Sequence, residues 1–293
     1  MDTMTAPAPG STALTRALPY LALAGSIVSF CVGTSFAKQL FPMVGAPGAI
    51  AYRVGFAALI LVALFRPWRA TFSRADLFAT MRYGAALGIM NLSFYMALRT
   101  IPLGLAIAIE FLGPLGVSLL HSRRPAHFAM VALAAAGVAM LLPLRHTAHS
   151  LDPVGVGFAL CAGLCWALYI VFGKRTAHLP AGQSVAVGMA TAAIIVVPIG
   201  IADAGPALLT PALMAIGFVT AILSSALPYS LEKIALRHIP ENRFGVLLSV
   251  EPAVGALAGA ALLGEHLVAM QWLAIGLVVC ASVGSVMATE RPA

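Results

Sequence analysis

Charge is what this chain has least of: only 9% of its 293 residues are Asp, Glu, Lys or Arg. A soluble domain carries about 25%, so a water-soluble globule is excluded. The mean hydropathy of +0.98 agrees, since lipid has to cover much of such a surface. Cysteine is scarce as well. Cys31, Cys161, Cys165 and Cys280 lie inside apolar runs without zinc-ligand spacing to histidine, and read as small packing residues. No carboxylate-rich or Cys-rich stretch surrounds His146 and His149, so no metal site is expected. HExxH, GxSxG and an ATP-binding loop are missing too. These absences argue against an enzyme and against direct ATP drive, and no cofactor is expected.

What the chain does have is long hydrophobic runs. A span needs about 20 apolar residues, and ten stretches qualify: 18–37, 46–65, 77–97, 102–121, 125–143, 154–173, 182–202, 209–231, 242–262 and 266–288. The fold class expected is an all-α polytopic membrane protein in contact with the lipid bilayer. The first run is long enough to remain as a span rather than act as a cleaved signal.

The net charge of +7 would suggest a nucleic-acid partner in a soluble protein. Here its distribution explains it. Thirteen of the 17 Lys and Arg fall at the termini or after even-numbered spans, against Lys38, Arg53, Arg99 and Arg145 on the other side. The positive-inside rule then puts both termini in the cytoplasm, and no nucleic acid is needed.

The chain also repeats itself. "ALRTIP" at 97–102 recurs as "ALRHIP" at 235–240, an offset of 138 that also carries Pro114 onto Pro252. "SFAK" at 35–38 resembles "VFGK" at 171–174. The expected organisation is a tail (1–17), a five-helix repeat (18–143), a linker (144–153), a second five-helix repeat (154–288) and a tail (289–293). Five is odd, so the halves enter the membrane from opposite sides. Inverted repeats of this kind present two mirrored gates around a midplane site, which suits a transporter with alternating access.

A few polar side chains interrupt the runs. Glu110 falls about 12 Å along its helix from Pro102, near mid-membrane, where a charge costs roughly 3 kcal/mol on insertion scales. Glu251 lies about 16 Å beyond Pro240 and precedes Pro252, which frees a backbone carbonyl. Each half thus offers one carboxylate at similar depth. The alternative is a structural role, each carboxyl clamping two helices. Asn91 and Tyr95 are one turn apart and share a face. Trp166 and Tyr169 in "CWALYI", and Tyr229 in "ALPYSLEK", are aromatic candidates for substrate contact, with lipid or helix packing as the alternative. Arg53 either snorkels to the interface or holds a substrate carboxylate through paired hydrogen bonds. Lys38 reads as an end-of-span anchor. "GAALG" (84–88) and "GALAG" (255–259) place glycines four apart, a spacing for close helix approach.

The stretches "GLAIAIEFLGPLGVSLLHSRRP", "FRPWR", "CWALYI" and "LSSALPYSLEKIALRHIPENRFGVLLSVEPAVGALAGAALLGE" together resemble the threonine and homoserine exporter branch of the EamA family, within the drug/metabolite transporter superfamily. The resemblance runs over about 18–288. It implies a bacterial inner-membrane exporter of small amino acids, monomeric or homodimeric, with substrate in a cavity walled by both halves. On depth and chemistry, Glu110, Glu251, Asn91, Tyr95, Arg53, Trp166, Tyr169 and Tyr229 are the candidate substrate-binding residues. Glu110 and Glu251 are also the candidates for coupling protons to the exit of a zwitterionic amino acid. Two further readings stay open: an exporter of another metabolite or drug on the same fold, or a non-transporting membrane subunit.

Overall fold

The computed structural model describes residues 13–121, 125–140, 151–176, 178–228, 231, 235, 238–239, 244 and 247–290. Tyr229, residues 1–12, most of the expected linker and parts of the expected spans 209–231 and 242–262 lie outside the described residues.

Among the described residues the chain is helical, with no strand. The helices are α1 (Ala13–Gln39), α2 (Phe41–Phe65), α3 (Arg74–Ala97), α4 (Leu103–Glu110), α5 (Leu112–His121), α6 (Pro125–Ala139), α7 (Pro153–Arg175), α8 (Ala181–Ala204), α9 (Pro211–Ala221), α10 (Glu251–Leu263) and α11 (Ala269–Glu290). A π-helical segment, Ile222–Ala226, continues α9. Among the described residues, five stretches are long and apolar enough to cross a membrane: Ala17–Gln39, Phe41–Arg69, Pro153–Arg175, Gly182–Leu209 and Ala269–Met287. Shorter apolar helices cover Leu103–Val117, Phe128–Ala139, Pro211–Ala226 and Glu251–Leu263. The chain is a multi-pass helical membrane protein.

Local chemistry sets the helix starts. The Ser73 hydroxyl accepts the Asp76 N–H at 3.0 Å and donates to Asp76 Oδ2 at 2.7 Å, a capping arrangement for α3. Asp76 Oδ1 also meets His178 Nε2 at 3.0 Å, joining α3 to the α7–α8 connection. The Ser73 hydrogen bond, then that from His178, hold the Asp76 carboxyl below its usual range. Asp152 caps α7 by accepting the N–H groups of Val154 and Gly155, with Pro153 at the first helical position, where no N–H is missed.

The break in α2 at Gly45 (φ 66°, ψ 170°), a conformation glycine alone adopts cheaply, falls at the expected start of the span at 46. One expectation needs correction: the run 102–121 is two helices rather than one, parted by a turn at Phe111. Pro114 has no N–H to give the Glu110 carbonyl four residues back, which explains the break. The chain turns again at Ser249 and Val250, just before Pro252.

Helix α4 is the centre of the bundle, with every residue from Leu103 to Glu110 buried. It packs on α7, α10 and α11, while α2 lies against α8, and α3 against α7 and α8. Close approach needs glycine. Gly84 and Gly88 of "GAALG" both face α8, at Gly188 and Ala192, and Gly255 of "GALAG" faces Ile107 and Gly104 of α4. The two glycine-spaced motifs therefore mark helix contacts.

Candidate functional site

Glu110 ends α4 and is buried. Its position is fixed by small residues: a Cβ on Gly163 of α7 would press against the Glu110 backbone, so α7 runs directly past it. The next residue, Phe111, meets the Trp166 ring edge-to-face with centroids 5.0 Å apart. Trp166 thereby braces the turn that presents the carboxylate.

Arg53, on α2, is buried at 3% exposure. The snorkelling alternative is thus excluded. Its Nε donates to Ser225 Oγ at 3.1 Å and its Nη2 to the Ser224 carbonyl at 3.0 Å. Both acceptors come from the π-helical segment, where the shifted hydrogen-bond register leaves a carbonyl turned out of the helix ladder. The rings of Phe30 and Tyr95 flank the guanidinium at 5.2 and 5.6 Å from its carbon, a placement favourable to a cation. By distance and angle neither Nη1 nor the buried Tyr95 hydroxyl completes a hydrogen bond, although the guanidinium and that hydroxyl lie near enough to interact with each other. Arg53 makes no ion pair with a carboxylate among the described residues. Glu110 nevertheless feels the charges of both Arg53 and Glu251. One guanidinium and two carboxylates thus share an electrostatic neighbourhood built from α2, α4 and the start of α10.

The other candidates are spread more widely. Asn91 is buried and donates its amide to the Leu87 carbonyl at 2.8 Å, within its own helix. Glu251 starts α10, and its backbone carbonyl is approached by the Cys31 thiol at 4.0 Å. Tyr169 stacks on Tyr83 at 4.6 Å and accepts its hydroxyl hydrogen bond at 3.0 Å. That pair lines a cavity of about 320 Å³ with Gly173, Thr176 and Ser184, at the α7–α8 connection rather than beside Arg53. Tyr229 is outside the described residues. Sequence reasoning missed Ser224, Ser225 and Phe30, although the paired serines in "AILSSALPY" are a visible polar interruption of an apolar run.

A second polar cluster corrects the view of Lys38 as a simple anchor. Its Nζ pairs with Glu265 Oε1 at 2.6 Å and reaches the Ile101 carbonyl at 3.3 Å. Glu265 Oε2 accepts the Leu103 N–H at 2.9 Å. Pro102 offers α4 no side-chain cap, so a carboxylate from beyond α10 satisfies that otherwise orphaned donor.

Apolar helices of membrane-crossing length around the buried Arg53 and Glu110, with Glu251 half-buried, define a multi-pass membrane protein with a polar interior. The chain belongs to the EamA-like transporter family, whose profile matches residues 153–287. It is 46% identical over 284 residues to the threonine/homoserine exporter RhtA of Salmonella typhimurium (strain SL1344), covering 97% of this chain and 96% of that protein. It is 46% identical over 274 residues to RhtA of Escherichia coli (strain K12), covering 94% and 93%. These relatives are transporters, in line with the expectation that the chain is no enzyme. A protein known from its crystal structure shares the fold at a TM-score of 0.53 and 19% identity, over 92% of this chain and 97% of its own.

Proposed function

We propose that the chain is a bacterial inner-membrane exporter of small amino acids of the threonine and homoserine type, working by alternating access. The observation that carries this reading is the buried Arg53 guanidinium, whose Nη1 lacks a partner beside Tyr95. A zwitterion crosses lipid poorly because both its charges lose water. Arg53 would receive the substrate carboxylate in a charge-assisted hydrogen bond, with Tyr95 beside it and Asn91 one turn away on α3. Glu110 and Glu251 would receive the ammonium. Near-full-length identity to proteins named as threonine/homoserine exporters supports the substrate class.

The topology proposed is ten spans in two inverted halves, 18–143 and 154–288, joined by the 144–153 linker, with both termini cytoplasmic. The turn at Phe111 and the turn at 249–250 stand about 138 residues apart, matching the offset of the sequence repeat, and each precedes a proline. The EamA profile covers nearly the same stretch as the second half. Arg53, Tyr95 and Glu110 belong to the first half and Ser224, Ser225 and Glu251 to the second, so the cluster bridges both, as a midplane site between rocking repeats requires. Proton antiport follows on this reading: a proton on Glu110 or Glu251 competes with the ammonium and releases it.

The test is export of labelled threonine and homoserine from proteoliposomes holding the purified protein, against a panel of amino acids, nucleobases and sugars. Competition confined to small amino acids supports the proposal. Competition by another class, or no flux at all, overturns it in favour of a different substrate or of a non-transporting subunit.

A further inference from the structure

Several hydroxyls within these helices follow one habit, while Ser26 and Ser29 of α1 donate instead to the Pro228 and Leu223 carbonyls at 3.1 and 2.6 Å. Ser35, Thr80, Thr191 and Ser224 each donate to the carbonyl four residues back, at 2.8, 2.8, 2.9 and 2.7 Å respectively, the usual local resort of a serine or threonine in a helix. Thr34 of α1 departs from it. Its side chain is fully buried, and Oγ1 has no partner. Among the described residues, the buried side-chain polar atoms without a partner are Thr34 Oγ1, Arg53 Nη1 and Tyr95 Oη.

The position of Thr34 ties it to the other two. It lies four residues after Phe30, whose ring flanks the Arg53 guanidinium at 5.2 Å. It lies three residues after Cys31, whose thiol approaches the Glu251 carbonyl. Residues at those spacings share one helix face. The preceding residue, Gly33, sits so close to Ser224 that a Cβ there would stand 2.7 Å from its nitrogen, which presses α1 onto the segment that holds Arg53. Thr34 is therefore one helical turn from the residues that touch the cation and the turn bearing the second carboxylate. A buried hydroxyl left unpaired is costly, and a ligand hydroxyl is the group that would complete it.

We propose that Thr34 is a specificity-determining residue, its hydroxyl pairing with the side-chain hydroxyl of the bound amino acid. This rests on the reading of Arg53 as the carboxylate anchor, which sets the backbone end of the substrate at the guanidinium and its side chain toward α1. A site that hydrogen-bonds a substrate hydroxyl rejects an analogue lacking it, because the protein's own group is then left unpaired. An apolar pocket discriminates far less. The informative probe is 2-aminobutyrate, which has lost the hydroxyl of threonine and of homoserine alike.

Initial rates of counterflow in proteoliposomes, measured for threonine, homoserine and 2-aminobutyrate, test the assignment. The full-length protein should prefer threonine to 2-aminobutyrate by about tenfold or more. Thr34→Val keeps the shape and removes the hydroxyl, and should bring that ratio to within about twofold of unity. Thr34→Ser should preserve the preference. Because each ratio is taken within one variant, differences in protein yield cancel. A Thr34→Val protein with the original ratio, or one that loses all three substrates equally, overturns the proposal. Arg53→Gln run alongside separates the two readings: threonine transport indifferent to that change removes the anchor alone, and the ratios in the Thr34 variants still decide the role of the hydroxyl.

Discussion

The guanidinium carbon of Arg53 lies 5.6 Å from the centre of the Tyr95 ring, and each residue keeps a buried polar atom with no hydrogen-bond partner. Burying a charge is expensive unless it is paired. Ser224, Ser225 and two aromatic faces offset part of that cost, and leave Nη1 as the donor for a ligand. A side chain kept only to hold helices together would have that donor satisfied.

The geometry of this centre depends on the absence of a side chain at Gly33. In Gly33→Ala the new Cβ would stand 2.7 Å from the Ser224 nitrogen, and overpacking of this kind costs about 1–3 kcal/mol. The KM for threonine should rise roughly tenfold as the π segment moves away from Arg53, a shift of about 1.4 kcal/mol. Gly276→Ala, where nothing lies within 4 Å, is the control and should transport normally. Equal KM values in the two variants, measured in proteoliposomes, would contradict the packing argument.

Glu110 and Glu251 carry the proposed proton coupling. In the unmodified protein, an inward-directed proton gradient should speed threonine efflux from preloaded vesicles several-fold. Glu110→Gln or Glu251→Gln should abolish that acceleration, while threonine-for-threonine exchange continues in at least one of them. Acceleration that persists in both variants removes proton antiport.

The Lys38–Glu265 pair makes a separable prediction about stability. Glu265→Gln loses the ion pair but keeps an acceptor for the Leu103 N–H; Glu265→Ala loses both. Leaving a buried donor unsatisfied costs about 1–3 kcal/mol, so the alanine variant should melt several degrees below the glutamine variant in detergent. Adding Lys38→Met to Glu265→Gln should change Tm little further. Identical melting of the alanine and glutamine variants would contradict the capping role.

Much of this was legible in the sequence. Low charge and long apolar runs announce membrane helices, and the depth of Glu110 and Glu251 in their runs marks them as candidates without any structure. Pro114 signals the break after Glu110, because a missing N–H is readable from one letter. Arg53 was legible only as a choice between two roles, since its burial depends on α1, α3 and the π segment closing over it. The π segment itself has no letter code: its free carbonyl arises from a register shift within an ordinary apolar run. Thr34 was invisible for a related reason. A lone threonine in a span ordinarily bonds its own helix, and only the packing of the folded chain leaves this one without a partner.

The most direct test of the carboxylate anchor is binding of threonine, and of the amino alcohol threoninol, to the purified protein and to Arg53→Gln and Arg53→Lys. Threonine affinity should fall about 10- to 100-fold in both variants, corresponding to a charged hydrogen bond of about 1.5–3 kcal/mol. Lysine should not rescue it, because one ammonium cannot serve Ser224, Ser225 and a carboxylate in the geometry of a guanidinium. Threoninol, which lacks the carboxylate, should bind weakly and equally to all three proteins. Threonine binding unchanged in Arg53→Gln, or threoninol binding as tightly as threonine to the unmodified protein, would contradict the account.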